Sequence, residues 1–151
     1  MNFLSSSKSI KTLERFIIAQ DECFENVINE LKNGKKRTHW IWYIFPQCEG
    51  LGRSSISIEY SIKSKQEAIN YFNNETLHYR LIACCKILLE SKCHNIIDIL
   101  GFPDDLKFKS CLTLFMNINP QHLIFKELLV KYFEGQQCSH TRNFLNLKKN
   151  L

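Results

Sequence analysis

The chain has 151 residues, of which 44% are hydrophobic and 23% charged, with a formal net charge of +5 at pH 7. This size and composition predict one soluble globular domain with its own core. No apolar run reaches the roughly 18 residues that a membrane span needs, and the N-terminus lacks the apolar segment of a signal peptide. We therefore expect a cytoplasmic protein with no membrane partner. The charge favours small anionic ligands weakly but is too low for a dedicated nucleic-acid binder.

The seven cysteines predict reduced thiols rather than disulfides or a metal centre. Their number is odd, and no Cys-x-x-Cys pair occurs. Most of them fall in predicted helix interiors, where cysteine usually serves as a small buried hydrophobic residue. No pair of Cys or His residues with zinc-ligand spacing lies next to another such pair. We expect neither a metal nor a cofactor.

The predicted elements form an all-α domain of about six helices with at most a minor β element. A flexible arm, residues 1–11, precedes a helix with an apolar stripe from Leu13 to Leu31, for which Thr12 is a plausible N-cap. Gln20 lies on this stripe, so its amide must either bond nearby backbone or face a pocket. Later helices are predicted over residues 56–62, 64–73, 75–90, 95–100, 104–115 with Asp104 as N-cap, and 125–133. Residues 12–145 thus form one domain, and residues 146–151 form a tail.

The segment from Thr38 to Ser54 is the most distinctive part of the sequence. It contains both tryptophans, a run of further rings, and a loop broken by glycines. Large rings bury much apolar area, and glycine adopts backbone conformations closed to other residues. Aromatic side chains beside a polar and cationic glycine loop are typical of ligand pockets. The same rings would also suit a plain core segment.

This segment resembles the motif of a bacterial family known as domain of unknown function 1810, which reads Lys-x-x-His-Trp-x-Trp-x-x-Phe-Pro-Gln followed by Gly-Leu-Gly. The matching residues are Lys36, His39, Trp40, Trp42, Phe45, Pro46, Gln47, Gly50, Leu51 and Gly52. The likeness spans about residues 12–145 and includes the segments around Arg15 and Asp104. It implies a small helical domain and brings no activity with it. The family usually has an Asp three residues before a C-terminal threonine, where this chain has Cys138 before Thr141.

A pocket is predicted between the motif and the helix that begins at Asp104. In that helix, three polar residues fall at steps of three along one face, which either lines a site or is a solvated surface. Rings can hold a base, and cations can hold a phosphate. We therefore expect the protein to bind or process a small phosphorylated or nucleotide-like ligand, such as an ADP-ribose or NAD derivative. The candidate ligand-binding residues are His39, Trp40, Trp42, Gln47, Arg53, Lys36, Lys107, Ser110 and Thr113.

The sequence leaves the activity open. No nucleophile elbow, Walker-type loop or zinc-hydrolase histidine pair occurs. If the protein is an enzyme, hydrolysis of an N-glycosidic bond is the first candidate, with Glu49 or Asp105 as the carboxylate. One alternative is a nucleic-acid-binding module that uses residues 35–37 and the two tryptophans as stacking platforms. The other is a structural or protein-interaction domain without catalysis.

Overall fold

The structure is a computed structural model that describes residues 3–147, with side chains from residue 13 onward. Within that range the all-α class is confirmed, but there are nine helices rather than about six. A single isolated parallel bridge is recorded there, between Cys48 and Ile62. The helices are α1 Phe3–Lys32, α2 Ile41–Ile44, α3 Ser55–Glu59, α4 Lys65–Asn73, α5 Glu75–Glu90, α6 Ile96–Leu100, α7 Asp104–Ile118, α8 Ile124–Phe133 and α9 Ser139–Phe144.

Two of these helices, α2 and α9, were not expected from the sequence. They have four and six residues, which is too short for a helical period to show in the sequence. Helix α1 also begins earlier than predicted, at Phe3. Residues 3–11 therefore continue the helix, and Thr12 lies inside it instead of capping it; no Gly or Pro occurs there to stop the helix. Of the predicted tail, residues 146–151, the part after Leu147 lies outside the described residues.

Side-chain caps explain where several helices begin. Ser54 and Ser64 accept hydrogen bonds from the backbone N–H groups of Ser57 and Glu67 at 3.2 and 3.0 Å. These bonds satisfy donors that have no partner inside the helix. The carboxylate of Glu67 accepts from the backbone N–H of Lys63 at 3.0 Å, one residue earlier than in a standard capping box. The loop from α3 to α4 is therefore fixed by local sequence.

Helix α7 lies at the centre of the molecule and packs against α4, α6, α8 and α9. Its inward residues have no exposed surface; they are Phe108, Cys111, Leu112, Leu114 and Phe115. The motif joins this core, since the rings of Phe45 and Phe108 are 4.7 Å apart. Because α7 begins beside the motif, its first turns are the second wall of the predicted site.

Helix α1 holds the other side of the motif through Gln20. Its amide Nε2 donates to the backbone oxygen of Tyr43 at 2.6 Å and lies 3.0 Å from the hydroxyl of Tyr71. Of the two roles open to this buried amide, the structure shows the bond to backbone.

No helix within residues 3–147 is both long and apolar enough to cross a membrane.

Candidate functional site

The first half of the motif is anchored by a carboxylate on α1 that the sequence analysis did not single out. Glu30 is 9% exposed and accepts hydrogen bonds from the backbone N–H groups of Arg37 at 2.5 Å and Thr38 at 2.9 Å. It also accepts from the Thr38 hydroxyl at 2.6 Å and from the indole N–H of Trp40 at 3.1 Å. Burial alone would raise its pKa, but these donors outweigh burial and lower the pKa to about 2.

A cluster of two lysines, one aspartate and two tryptophans joins the motif to the start of α7. The Nζ atoms of Lys36 and Lys107 lie 2.9 and 3.3 Å from the carboxylate of Asp104. The same Nζ atoms lie 5.0–5.2 Å from the ring centroids of Trp40 and Trp42, a distance at which a cation is attracted to an aromatic face. We call these five residues the lysine–tryptophan cluster. Four predicted site residues therefore meet around one carboxylate.

Asp104 has a different role from the N-cap that was predicted. The cap position is held by Pro103, without a side-chain hydrogen bond, and Asp104 is the first helical residue. An acidic side chain in the first turn is favoured by the helix dipole. Its carboxylate forms ion pairs with the two lysines. Because two positive charges face one negative charge, the cluster has one net positive charge.

The two tryptophans differ in exposure. Trp40 is 1% exposed and belongs to the core, while Trp42 is half-buried and donates its indole N–H to the hydroxyl of Ser57 at 3.2 Å. Ser57 in turn packs on Gly52, where an added Cβ would lie 2.3 Å from the Ser57 Cβ. The glycine therefore lets the loop lie against the tryptophan's partner, a close approach that another residue would block.

Three of the predicted site residues present their side chains to solvent. His39, Glu49 and Arg53 are exposed, and no hydrogen bond or ion pair of their side chains is recorded in the described range. Arg53 directly follows Gly52, the glycine against which Ser57 packs. Gln47 is buried, and its backbone oxygen accepts from Ile62 at 2.9 Å. The loop after the motif thus carries available polar groups, as a binding surface would.

Ser110 and Thr113 face the segment before α9 and not the lysine–tryptophan cluster. Both are buried, at 4% and 0% exposure. The Thr113 hydroxyl donates to the Lys109 oxygen at 2.8 Å and accepts from the backbone N–H of Cys138 at 2.9 Å. The Ser110 hydroxyl lies 3.0 Å from the Leu106 oxygen and 3.3 Å from the Cys138 sulfur. The predicted polar stripe is therefore not a solvated surface. Only Lys107, at its N-terminal end, contacts the lysine–tryptophan cluster, while Ser110 and Thr113 contact Cys138 in the segment before α9.

The two candidate catalytic carboxylates have contrasting environments. Asp105 is 6% exposed, and its Oδ1 is the one buried side-chain oxygen or nitrogen without a hydrogen-bond partner in the part of the chain that the structure describes. Glu49 is exposed, and its backbone oxygen lies 3.0 Å from Nε2 of His140. A cavity of about 460 Å³ borders this side of the loop, lined by Glu49, Gly50, Gly52, Ser57, Ile58, Ser61 and Lys63. Glu49 is thus the carboxylate that a ligand can reach.

No group of three or more potential metal-ligating side chains occurs among the described residues.

The residue that sequence reasoning missed most clearly is Glu30. A signal for it exists, since Glu30 lies three positions after Val27 and one before Leu31 on the apolar stripe of α1. A carboxylate in that position must find donors when the helix packs, and the nearby backbone of residues 37–38 supplies them.

The fold and this geometry define a class of small all-α proteins in which an aromatic, lysine-containing motif packs on the start of a central helix. A family model described as a protein of unknown function, DUF1810, matches residues 10–145, so the chain belongs to this family, as its motif indicated. The chain is also similar to the crystal structure of the conserved hypothetical protein Rv1873 from Mycobacterium tuberculosis. The two are 38% identical with a TM-score of 0.87, over 90% of this chain and 97% of that one. No curated protein matches the sequence significantly.

Proposed function

We propose that the protein binds a small anionic ligand of the nucleotide type, such as ADP-ribose or an NAD derivative, beside Trp42. The observation that supports this is the charge balance of the lysine–tryptophan cluster. Two lysines share a single carboxylate next to a half-buried indole. A phosphate would supply the second counter-charge, and the ring would offer a surface for a base.

The two lysines are not equivalent as ligand groups. The side chain of Lys36 is 7% exposed, while that of Lys107 is 21% exposed. Lys36 therefore serves mainly to hold Asp104 against the motif, and Lys107 is the cation that a ligand can reach. Arg53 and His39 are further exposed polar side chains of the motif and the loop that follows it.

The nucleic-acid alternative has less support from the geometry. A stacking platform must present its ring face to a base, and Trp40 is 1% exposed with its N–H bonded to Glu30. Only Trp42 of the proposed pair could take that role. A compact ligand with one base and one diphosphate suits a single half-buried ring better than an extended strand does.

The binding proposal is tested by calorimetric titration of the full chain with ADP-ribose and with NAD. We expect saturable binding to the wild type, and an affinity at least tenfold lower for Lys107→Gln, since a charge-assisted contact is worth about 1.5–3 kcal/mol. Lys126→Gln on the exposed side of α8 is the matched control and should bind like the wild type. Equal affinities for all three proteins, or no binding to any of them, would reject the proposal.

Turnover is a separate measurement. Hydrolysis of the N-glycosidic bond in NAD would release nicotinamide and would need a carboxylate open to the ligand. Glu49 meets that condition, whereas Asp105 does not. Nicotinamide release by the wild type that is lost in Glu49→Gln would extend the proposal to catalysis. Binding without release in either protein would restrict it to a binding function.

A further inference from the structure

The cavity of about 460 Å³ beside the loop after the motif has polar groups on both of its walls. One wall is the loop of residues 49–52, and the other is the segment 57–63, which ends α3 and leads to α4. The polar side chains that line it are those of Glu49, Ser57, Ser61 and Lys63. Small-molecule sites usually enclose about 300–1,000 Å³. The cavity therefore has the size and the polarity to hold part of a small polar ligand.

The two walls are fixed to each other by backbone hydrogen bonds. The N–H of Ile62 donates to the Gln47 oxygen at 2.9 Å, and the N–H of Glu49 donates to the Ile62 oxygen at 3.0 Å. The second wall is also held by Glu67, whose carboxylate accepts from the backbone N–H of Lys63 at 3.0 Å. Polar groups on a fixed frame are in place before a ligand arrives, which lowers the cost of binding.

The hydroxyl of Ser57 has a proton left for a ligand. Its oxygen accepts from the indole N–H of Trp42 at 3.2 Å and from the Ser54 hydroxyl at 2.8 Å. A hydroxyl has two lone pairs and one proton. Because both lone pairs are occupied, the group can only donate further. The same hydroxyl joins the cavity to Trp42, so the cavity and the half-buried indole are adjacent.

The ammonium group of Lys63 is held in place and keeps one proton unused. Its Nζ donates to the Ile58 backbone oxygen and, at 2.6 Å, to the Ser61 hydroxyl. These bonds cap the end of α3. An ammonium carries three protons, and no ion pair of Lys63 is recorded in the part of the chain with described side chains. One N–H and the positive charge therefore remain for a ligand.

The carboxylate of Glu49 lines the same cavity without pairing with that cation. The side chain is exposed, and within residues 13–147 no ion pair joins it to Lys63. A carboxylate only accepts hydrogen bonds, and it repels a bare anion. A ligand that satisfies both groups must therefore offer hydroxyl donors to Glu49 and an anionic group to Lys63.

We propose that this cavity binds a ribose phosphate. Lys63 holds the phosphate, Glu49 accepts hydrogen bonds from adjacent sugar hydroxyls, and the Ser57 hydroxyl donates to an oxygen of the ligand. An acidic side chain has the same role towards the ribose in dinucleotide-binding folds. The cavity thus holds the sugar–phosphate part of the ligand proposed beside Trp42, and in this respect the assignment rests on the proposed function.

The test is titration of the isotope-labelled full chain with ribose 5-phosphate, followed by NMR. We expect saturable shifts of the backbone amides in residues 49–52 and 57–63, and an affinity at least about tenfold lower for Lys63→Gln. Lys65→Gln removes the same charge from an exposed position outside the cavity and should bind like the wild type. Equal affinities of the three proteins, or no binding to the wild type, would overturn the proposal.

Glu49→Gln gives a measurement that does not depend on the cap of α3. Because the Glu49 side chain is exposed, the melting temperature should stay unchanged. The preference of the protein for ribose 5-phosphate over inorganic phosphate should fall at least about fivefold, since the acceptor of the sugar hydroxyls is weakened and the repulsion of a bare anion is removed. An unchanged preference, or a wild type that binds inorganic phosphate as tightly as ribose 5-phosphate, would reject the sugar site.

Titration with ADP-ribose distinguishes a failure of this assignment from a failure of the proposed function. We expect Lys63→Gln and Lys107→Gln each to weaken the binding of ADP-ribose. An affinity that depends on Lys107 and not on Lys63 would overturn the sugar site and leave the proposed function intact. Binding of ribose 5-phosphate that depends on Lys63, without any binding of ADP-ribose, would support the sugar site and reject the proposed function.

Discussion

The two halves of the motif have different roles. We call residues 36–45 the anchored half and residues 49–54 the loop half. In residues 36–45 the buried polar groups are engaged: Glu30 binds the backbone of residues 37–38 and the indole of Trp40, and Lys36 is paired with Asp104. In residues 49–54 the side chains of Glu49 and Arg53 are exposed, and glycine is needed for close packing.

This contrast distinguishes residues that stabilise the site from residues that are available to contact a ligand. A buried polar group that has all its partners stabilises the fold and is not available to a ligand. An exposed one next to a rigid segment contributes little to stability and is free to bind. The Nζ of Lys107 lies 5.0 Å from the ring centroid of Trp42, and the proposed ligand would bind beside this pair.

The largest effect on the free energy of unfolding should come from removing the largest ring of the anchored half. Trp40→Ala removes a side chain that is 1% exposed, and we expect the free energy of unfolding to fall by about 3–5 kcal/mol. Urea denaturation at pH 7 measures this. Trp42→Ala is the matched control and should cost clearly less, because that ring is only half-buried. Equal losses would mean that the two halves are equally structural.

The next effect is the acid sensitivity of the Glu30 anchor. With a folded pKa of about 2 against an ordinary value of 4.5, the stabilisation by this carboxylate is complete above pH 4.5 and is lost as the pH falls towards 2. We expect Glu30→Gln to lower the free energy of unfolding by roughly 2–3 kcal/mol at pH 7 and to flatten its decline from pH 5 to 2. Glu25→Gln, an exposed position on α1, should leave the profile unchanged. A Glu30→Gln profile parallel to that of the wild type would contradict the anchor.

The anchored half also shows what the sequence could predict. The long helices followed from apolar periodicity, because that signal is local. The Ser54 and Ser64 side chains that cap α3 and α4 are local signals of the same kind. The role of Glu30 did not follow, because its donors come from a turn seven to ten residues later whose path depends on packing. The pairing of Lys36 with Asp104 spans 68 positions, from 36 to 104, and no periodicity encodes such a contact.

The polar stripe on α7 shows the same limit. Its spacing correctly places Lys107, Ser110 and Thr113 on one face, but spacing does not say what covers that face. The segment before α9 covers Ser110 and Thr113, and α9 itself was too short to predict. The predicted site is thus divided between the lysine–tryptophan cluster and the Cys138 contacts.

A smaller effect is expected where the loop half touches the anchored half. In Gly52→Ala the new Cβ would meet Ser57 at 2.3 Å, so α3 or the loop must shift, at a cost of about 1–3 kcal/mol. The double variant Gly52→Ala with Ser57→Gly removes the clash, and its loss should be smaller than the sum of the two single losses. Additive losses in thermal and urea unfolding would show that the close contact is unimportant.

The smallest effect on stability should come from Arg53, and it is the most informative about the loop half. Its side chain is exposed, with no hydrogen bond or ion pair recorded for it within the described residues, so Arg53→Ala should change the free energy of unfolding by no more than about 0.5 kcal/mol. Arg15 is the contrasting arginine: it donates to the backbone oxygens of Glu59 and Ser61 at 2.7 and 2.9 Å. Arg15→Ala should therefore cost about 1.5–3 kcal/mol.

The same Arg53→Ala protein should bind ADP-ribose more weakly than the wild type, since its guanidinium is well suited to a phosphate. Reduced affinity with an unchanged melting temperature would assign Arg53 to the ligand and support the division of the motif. If Arg53→Ala instead lowers the melting temperature as much as Arg15→Ala does, Arg53 is a structural clamp. The loop half would then be part of the anchor, and the ligand surface beside Trp42 would lose its exposed arginine.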